Sequence, residues 1–333
     1  AMFRSDAEVE SHHPQGSPAI LSDCDEGVLI ELIVSWLGEV TPPSPLGIGD
    51  DCALFPARAD GDFLISCDSL ILGKHFTPDL PAEKAGAKLV LRNLSDIAAM
   101  GGVPSYATIS ILCGARLEID WLAQFYKGMR SVAKDYALKI VGGDFSQLPS
   151  NQFQAVMTII GTAQNPILRH NAALEDSIYV TGQLGGSIAE KHYNFRPHIS
   201  VGQWLAQNGY ASSMVDSTDG LAKELHCLLA PKQAVSIDLN AIPISEAAHQ
   251  QSSGNRAFAL KKAFCDGEDY ELLFALPHTI EPADFESEWR EAFPKIQLSR
   301  IGTIVEQTGT ARLLDSSDLS PLPWNRGFDH FKQ

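Results

Sequence analysis

The segment LVLRNLSDIAAMGGVP, residues 89–104, decides the fold that we expect for this chain. Read as a helix, it carries one apolar stripe with the i, i+3, i+4, i+7 spacing of a core-facing helix, formed by Val90, Leu94, Ile97, Ala98 and Gly101. Asp96 lies on the flank of this stripe, where a carboxylate is costly unless a cation or hydrogen bonds satisfy it. The glycines and the proline of Met100–Pro104 predict the end of the helix.

Length and composition indicate a globular protein with two domains. A chain of 333 residues exceeds one ordinary core, and 44% hydrophobic with 20% charged residues is typical of soluble proteins. A net charge of −16 offers no basic stripe to meet phosphates, so we expect no nucleic-acid partner. We place a flexible extension at residues 1–22, an N-terminal domain at 23–165 and a C-terminal domain at 166–333.

The cysteines favour a reduced, cytoplasmic protein. None belongs to a C-x-x-C pair or has a histidine at zinc-finger spacing: Cys24, Cys52, Cys67, Cys113, Cys227 and Cys265. No apolar run approaches eighteen residues, so we expect no membrane span. Residues 1–20 lack the apolar centre of a signal peptide.

Acidic residues recur where predicted strands end or turns begin. They are Asp50, Asp51, Asp68, Asp96, Asp144, Asp216 and Asp219. Each has Gly, Ser or Thr close by, and hard divalent cations prefer such carboxylate and hydroxyl oxygens together with substrate phosphates. The pattern therefore favours a site with several magnesium ions for phosphoryl transfer. The alternative is that these residues serve as turn and helix N-cap residues, which Asp favours for local reasons.

The common nucleotide-binding motifs are absent from the sequence. We find neither G-x-x-x-x-G-K-[ST] nor the catalytic-loop signatures of protein kinases. The glycine-rich turn at 182–187 could cradle a phosphate at a helix start, although one such turn is weak evidence.

Eight segments in order resemble the thiamine-monophosphate kinase family, within the aminoimidazole-ribonucleotide-synthetase superfamily. They are LGIGDDCALF (46–55), SCDSLILGKHF (66–76), NLSDIAAMGG (93–102), GGDFS (142–146), VTGQLGGS (180–187), DSTDGL (216–221), GEDYELLF (267–274) and RGFDHF (326–331). The resemblance implies an α/β fold of the α+β type with two domains. It also implies a homodimer in which the N-terminal domain forms the interface.

The resemblance implies an activity and a set of site residues. ATP and thiamine monophosphate would give thiamine diphosphate and ADP by in-line transfer, with several Mg²⁺ ions and no covalent nucleophile. This reaction is the last step of thiamine diphosphate biosynthesis. The implied metal shell is Asp51, Ser66, Cys67, Asp68, Asp96, Asp144, Asp216 and Asp219. The implied ATP contacts are Tyr126, Gly143, Asp144, Arg169 and Thr218. The implied contacts to thiamine monophosphate are His75, Glu268 and Phe328.

Three positions depart from the family pattern, and two rival families are less expected. Cys67 stands where the family commonly has Thr, Phe145 replaces a polar residue, and Thr218 replaces Ser. Selenophosphate synthetase needs a reactive cysteine, whereas Cys24 has acidic neighbours that disfavour a thiolate. The hydrogenase-maturation relative uses a C-terminal cysteine, and the last residue here is Gln333. Another ATP-using synthetase of the superfamily stays open as an alternative.

Overall fold

A computed structural model of the chain describes residues 31, 43–45, 49–50, 52–55, 61–149 and 152–324. The sequence also predicts a first helix at 27–37, which lies outside these ranges apart from Glu31. The predicted site residues Asp51 and Phe328 lie outside them as well. The described residues from 43 onward belong to one compact unit, Pro43–Phe328. Within the described part of the chain, no helix is long and apolar enough to cross a membrane.

The first sheet has the strand order β1-β2-β5-β3-β4. Its strands are β1 (Ala53–Phe55), β2 (Asp62–Ile71), β3 (Val103–Gly114), β4 (Lys139–Leu148) and β5 (Phe153–Ala163). β3 and β4 run parallel, and the other neighbouring strands are antiparallel. Buried and half-buried residues alternate along the whole of β5, because successive side chains point to opposite faces of a sheet. One face of this sheet therefore packs inward.

Helices α1 (Ala82–Ala99) and α2 (Ile119–Asp135) pack on the inward face and against each other. Their backbones approach closely at two glycines. A Cβ atom on Gly86 would lie 1.9 Å from a carbonyl oxygen of α2, and one on Gly128 would lie 1.8 Å from a carbonyl oxygen of the α1 segment. Glycine is therefore required at this helix crossing.

Helix α1 confirms the apolar stripe that the sequence predicts. Val90, Leu94, Ile97 and Ala98 are fully buried, and burial of each larger side chain contributes about 1.5–3 kcal/mol. The helix begins at Ala82, earlier than the quoted segment, and is capped at Met100. The next residue, Gly101, has a φ of +69°, which suits glycine after a helix end.

The second sheet has the strand order β11-β8-β10-β6-β9-β7. Its strands are β6 (Ser177–Thr181), β7 (Ser213–Asp216), β8 (Gln233–Ile237), β9 (Leu272–Leu276), β10 (Leu298–Glu306) and β11 (Leu313–Asp315). The accompanying helices are α3 (Ile199–Asn208), α4 (Leu221–Leu228), α5 (Glu246–Gln251), α6 (Arg256–Cys265) and α7 (Pro282–Ala292).

Two hydrophobic clusters hold the fold together. The larger one joins α1 and the inward face of the first sheet to residues of the second sheet such as Met214 and Phe274. The smaller one lies within the second sheet and its helices, around Leu225 and Phe264. Helix α1 thus contacts both sheets, and the mixed α/β fold class is confirmed. The predicted boundary between residues 165 and 166 stays a prediction.

Three local predictions are wrong, two of them because strand pairing extends further than the sequence indicates. Asp68 does not end its strand, because β2 pairs with β5 as far as Ile71. Asp144 lies inside β4, which pairs with β3 as far as Leu148. The glycine-rich turn at 182–187 leads into a single 3₁₀ turn, Ser187–Ala189, instead of an α-helix.

Candidate active site

Strand β2 presents two of the predicted residues to helix α1. Leu64 and Leu70 on the same strand are fully buried, and Ser66 and Asp68 share their face because side chains alternate along a strand. The Ser66 hydroxyl donates a short hydrogen bond to Oδ2 of Asp96 on α1. The structure therefore brings Ser66, Asp68 and Asp96 to the interface between β2 and α1.

Asp68 is held by an arginine that the sequence analysis did not single out. Arg92 donates from Nε to Asp68 Oδ2 at 2.8 Å and from Nη2 to Oδ1 at 2.9 Å. Burial opposes the charged form of Arg92, but the neighbouring Tyr270 and Asp68 together raise the pKa of this guanidinium. The guanidinium is therefore charged, and it supplies Asp68 with a counter-charge within the protein.

The end of strand β7 meets the same helix. Ser95 on α1 donates from Oγ to Asp216 Oδ2 at 2.5 Å, and both residues are 1% exposed. Ser95 is the neighbour of Asp96 in the chain. Asp216, from the second half of the chain, is therefore bound to the residue of α1 that directly precedes Asp96.

The DSTDGL segment forms the turn between β7 and α4. Glu224 accepts hydrogen bonds from Thr218 Oγ1 at 3.2 Å and from the Asp219 amide at 2.9 Å. Lys223 forms an ion pair with Asp219 at 2.5 Å. Asp219 therefore has a cationic partner within the protein, as Asp68 does. Gly220 follows with a φ of +97° and begins the helix.

The GEDYELLF segment has an unusual backbone conformation where it places Glu268 at the site. Gly267, Glu268 and Tyr270 all have positive φ angles, of +75°, +54° and +52°. Each of the two non-glycine residues costs about 1–3 kcal/mol in such a conformation, so surrounding contacts must hold it. Tyr270 stacks on Phe195 with ring centroids 4.0 Å apart, and its hydroxyl donates to Glu268 Oε1 at 3.3 Å.

Lys88 on α1 is a fully buried cation beside Glu268. Its Nζ lies 2.8 Å from Glu268 Oε1, 2.7 Å from the His75 carbonyl oxygen and 2.9 Å from His192 Nδ1. Burial lowers the pKa of Lys88, which the charge of Glu268 opposes. Burial and the charge of Lys88 lower the pKa of His192. His75 also accepts a bond at Nδ1 from the Ile71 amide at 3.0 Å.

Two further buried acidic residues, Asp269 and Glu271, lie within and directly after the 267–270 loop. Burial raises the pKa of Asp269 to about 7, although Lys191 and the Gly185 amide oppose this. Burial also opposes ionisation of Glu271, but a hydrogen bond from His198 and the charge of Lys191 hold its pKa at about 2. These two carboxyl groups therefore differ in protonation near neutral pH.

The remaining predicted residues lie apart from this cluster. Cys67 is exposed and points to the face of β2 opposite to Ser66 and Asp68. Asp144 is exposed on β4, next to Gly143, and is separated from β2 by β3 and β5. Tyr126 is 42% exposed on α2.

Arg169 instead contacts Asp50, a residue of the quoted segment LGIGDDCALF. Its backbone amide donates to Asp50 Oδ2 at 2.9 Å.

The oxygen donors near α1 suit a hard divalent cation. Asp96, Asp216, Ser66 and Ser95 supply carboxylate and hydroxyl oxygens, the donors that Mg²⁺ prefers. Among the described residues, no three or more His, Cys, Asp or Glu side chains are arranged as a ready metal cage. This arrangement fits a magnesium ion whose coordination is completed by water and substrate phosphate, since Mg²⁺ seldom uses an all-protein cage.

The sequence reasoning missed Lys88, Arg92, Ser95 and His192. A signal for two of them was present, because Lys88, Arg92 and Asp96 follow one another at i, i+4 and i+8 on one helix. Cations at this spacing beside a buried stripe indicate a charged network at the core edge. No comparable signal marks His192.

Both the sequence and the fold of this chain are similar to those of known proteins. A sequence profile described as AIR synthase related protein, N-terminal domain, matches residues 49–163. A solved structure described as "AaThiL complexed with AMPPCP and TMP" superposes with a TM-score of 0.76 at 25% identity. The match covers 92% of this chain and 97% of that chain.

Two relatives are described as thiamine-monophosphate kinase. The protein of Haemophilus influenzae is 29% identical over 313 residues, which cover 86% of this chain and 92% of the relative. The protein of Rhodopirellula baltica is 31% identical over 299 residues, which cover 87% of this chain and 92% of the relative. Identity of this extent over most of both chains shows that the protein belongs to the thiamine-monophosphate kinase family of enzymes.

Proposed function

We propose that this protein transfers the terminal phosphoryl group of ATP to thiamine monophosphate and forms thiamine diphosphate and ADP. The observation that carries the proposal is the convergence on α1 of residues from three separate family motifs: Asp96 in α1, Asp216 at the end of β7 and Glu268 before β9. A related structure holds AMPPCP and TMP together, which supports a site for nucleotide and acceptor side by side.

Asp96 and Asp216, with the hydroxyl of Ser66, are the residues that would hold magnesium. When bound, the metal would neutralise charge on the transferring phosphoryl group and align its oxygens. Asp68 and Asp219 are engaged by Arg92 and Lys223, so they would have to exchange these partners to bind a metal directly. The side chain of Cys67 points to the other face of β2, so its sulfur is not among the ligands that we propose for the metal.

His75 and Glu268 support a pocket for thiamine monophosphate near Lys88. Glu268 is partly exposed, with 29% of its side chain accessible, so one carboxylate can both pair with Lys88 and face a ligand. A carboxylate can accept a hydrogen bond from the amino group of the thiamine pyrimidine ring. Phe328, the third proposed contact, lies outside the described residues. The proposed ATP contacts remain Tyr126, Gly143, Asp144, Arg169 and Thr218.

The open face of the first sheet supports a homodimer. Two rows of mostly apolar side chains cross this face: Phe63 and Val103 flank Thr162, and Ile65 and Tyr106 flank Ile160. Phe63, Val103 and Tyr106 are each about half exposed. Exposed contiguous apolar surface of this kind marks an interaction site, and a second copy of the chain would cover it.

The test is an assay with ATP, Mg²⁺ and thiamine monophosphate that measures thiamine diphosphate directly. We expect product that disappears when a chelator is added and that does not form from free thiamine. Formation of ADP with no thiamine diphosphate from a folded protein would contradict the proposal. That result would favour another ATP-using synthetase of the superfamily, and other small acceptors would then be assayed.

A further inference from the structure

Lys88 connects the parts of the chain from which the acceptor pocket is built. We propose that Lys88 is a positioning residue for the acceptor substrate, which fixes Glu268, the main chain at His75 and the ring of His192 in one relative geometry. This inference rests on the proposed function, because it assigns His75 and Glu268 to the thiamine monophosphate pocket. It adds Lys88 and His192, which lie outside the eight segments that carry the family resemblance.

The geometry shows that Lys88 positions other groups and does not bind substrate itself. An ammonium group has three N–H donors, and Lys88 has three acceptors within 2.9 Å: Glu268 Oε1, the His75 carbonyl oxygen and His192 Nδ1. The side chain is 0% exposed. Since every donor is used inside the protein, no donor of Lys88 remains for a ligand.

The three acceptors come from segments that are not regular helix or strand. His75 follows β2, His192 follows the 3₁₀ turn Ser187–Ala189, and Glu268 lies between α6 and β9. Lys88 itself lies in the well-packed helix α1 between the buried residues Ala85 and Leu89. A rigid helix thereby fixes three irregular segments in one relative position, which is what precise substrate placement requires.

Two further features depend on this contact. Glu268 has a φ of +54°, a conformation that persists when surrounding contacts over-determine it, and Lys88 supplies the shortest of these ionic contacts. The ammonium of Lys88 donates to Nδ1 of His192, so the neutral imidazole carries its proton on Nε2. Lys88 therefore selects one tautomer of His192 and presents an Nε2–H donor.

The kinetic test compares Lys88→Met with Lys84→Met, one helical turn earlier. Lys84 is a matched control because it is exposed and has its Nζ 5.7 Å from the ring centroid of Tyr193. We expect Lys88→Met to raise the KM for thiamine monophosphate about tenfold or more, since a hydrogen bond to a charged group is lost. The KM for ATP should change less than about twofold. Lys84→Met should match the wild type in both constants.

A double variant separates positioning from general damage. If Lys88 acts through Glu268, the KM rise in Lys88→Met/Glu268→Gln is smaller than the product of the two single rises. Equal rises in the KM for ATP and for thiamine monophosphate, or an unchanged KM for thiamine monophosphate in Lys88→Met, would overturn the proposal.

A measurement on the wild-type protein needs neither activity nor a variant. Long-range ¹H–¹⁵N correlation spectra of histidine-labelled protein should show His192 as the Nε2–H tautomer. An Nδ1–H tautomer would overturn the proposal even if Lys88→Met failed to fold. A wild-type enzyme that makes no thiamine diphosphate would contradict the proposed function, and the tautomer would still report on Lys88.

Discussion

Arg92 and Asp68 form a two-point ion pair that ties helix α1 to strand β2. Nε lies 2.8 Å from Oδ2, and Nη2 lies 2.9 Å from Oδ1. Two parallel N–H···O bonds fix the orientation of both groups as well as their distance. Their side chains are 10% and 29% exposed, so the pair is largely shielded from water and salt.

Replacing Arg92 with Met should destabilise the fold. The change leaves Asp68 without its counter-charge in a partly buried position, and we expect a loss of about 1–3 kcal/mol in the free energy of unfolding. Urea unfolding measures this quantity. The control is Lys127→Met, which removes an exposed pair with Glu83 and should change stability by less than about 0.5 kcal/mol. Equal stability of Arg92→Met and the wild type would contradict this reading.

Asp96→Asn should abolish turnover and leave the fold intact. The side chain keeps its shape and can still accept the hydrogen bond from Ser66, but it loses the charge that would hold magnesium. We expect kcat to fall about 10³-fold or more, because metal stabilisation of a transferring phosphoryl group contributes several kcal/mol. Circular dichroism and thermal unfolding would report the fold. A variant that keeps most of its activity would remove Asp96 from the proposed metal shell.

Asp269→Asn should remove one component of the pH dependence of stability. Burial raises the pKa of Asp269 from its usual value of 3.8 to about 7 in the folded protein. The folded state therefore binds the extra proton, and this contribution is complete below about pH 4 and is lost as pH rises through about 7.

The measurement is urea unfolding of both proteins between pH 4.5 and 8. Between these limits, the stability of the wild type relative to Asp269→Asn should fall by up to a few kcal/mol. Glu271 acts in a separate window, because its pKa of about 2 gives stability that is lost as pH falls from about 4.5 towards 2. A constant difference between the two proteins would show that Asp269 stays ionised.

Periodicity was sufficient to predict the elements whose pattern is strong. The stripe of α1 is buried, and the run at 177–181, whose sequence predicts a strand, forms one with these limits. The sequence predicts a helix over 119–136, and helix α2 ends at Asp135, one residue earlier. These elements follow from local residue spacing, which needs no knowledge of the partner elements.

The ends of strands and the contacts of the site could not be predicted in this way. Asp68 lies opposite Met157 of β5, and that pairing, which a local pattern does not specify, carries β2 on to Ile71. Which cation lies beside which acid also depends on parts of the chain that are distant in sequence. Lys88, for example, pairs with Glu268. Sequence spacing places such side chains on a face, whereas tertiary packing selects their partners.

Tyr106→Glu should dissociate the proposed homodimer. Tyr106 is 47% exposed on the open face of the first sheet, in one row with Ile65 and Ile160. A carboxylate at the centre of an apolar interface would be buried without a partner in both copies, which is strongly unfavourable. Analytical ultracentrifugation should give twice the chain mass for the wild type and the chain mass for the variant. The matched control is Phe258→Glu, because Phe258 is 61% exposed on α6, and this variant should leave the dimer unchanged. A wild-type protein that sediments as a monomer at micromolar concentration would contradict the dimer, and a dimeric Tyr106→Glu variant would move the interface to another face.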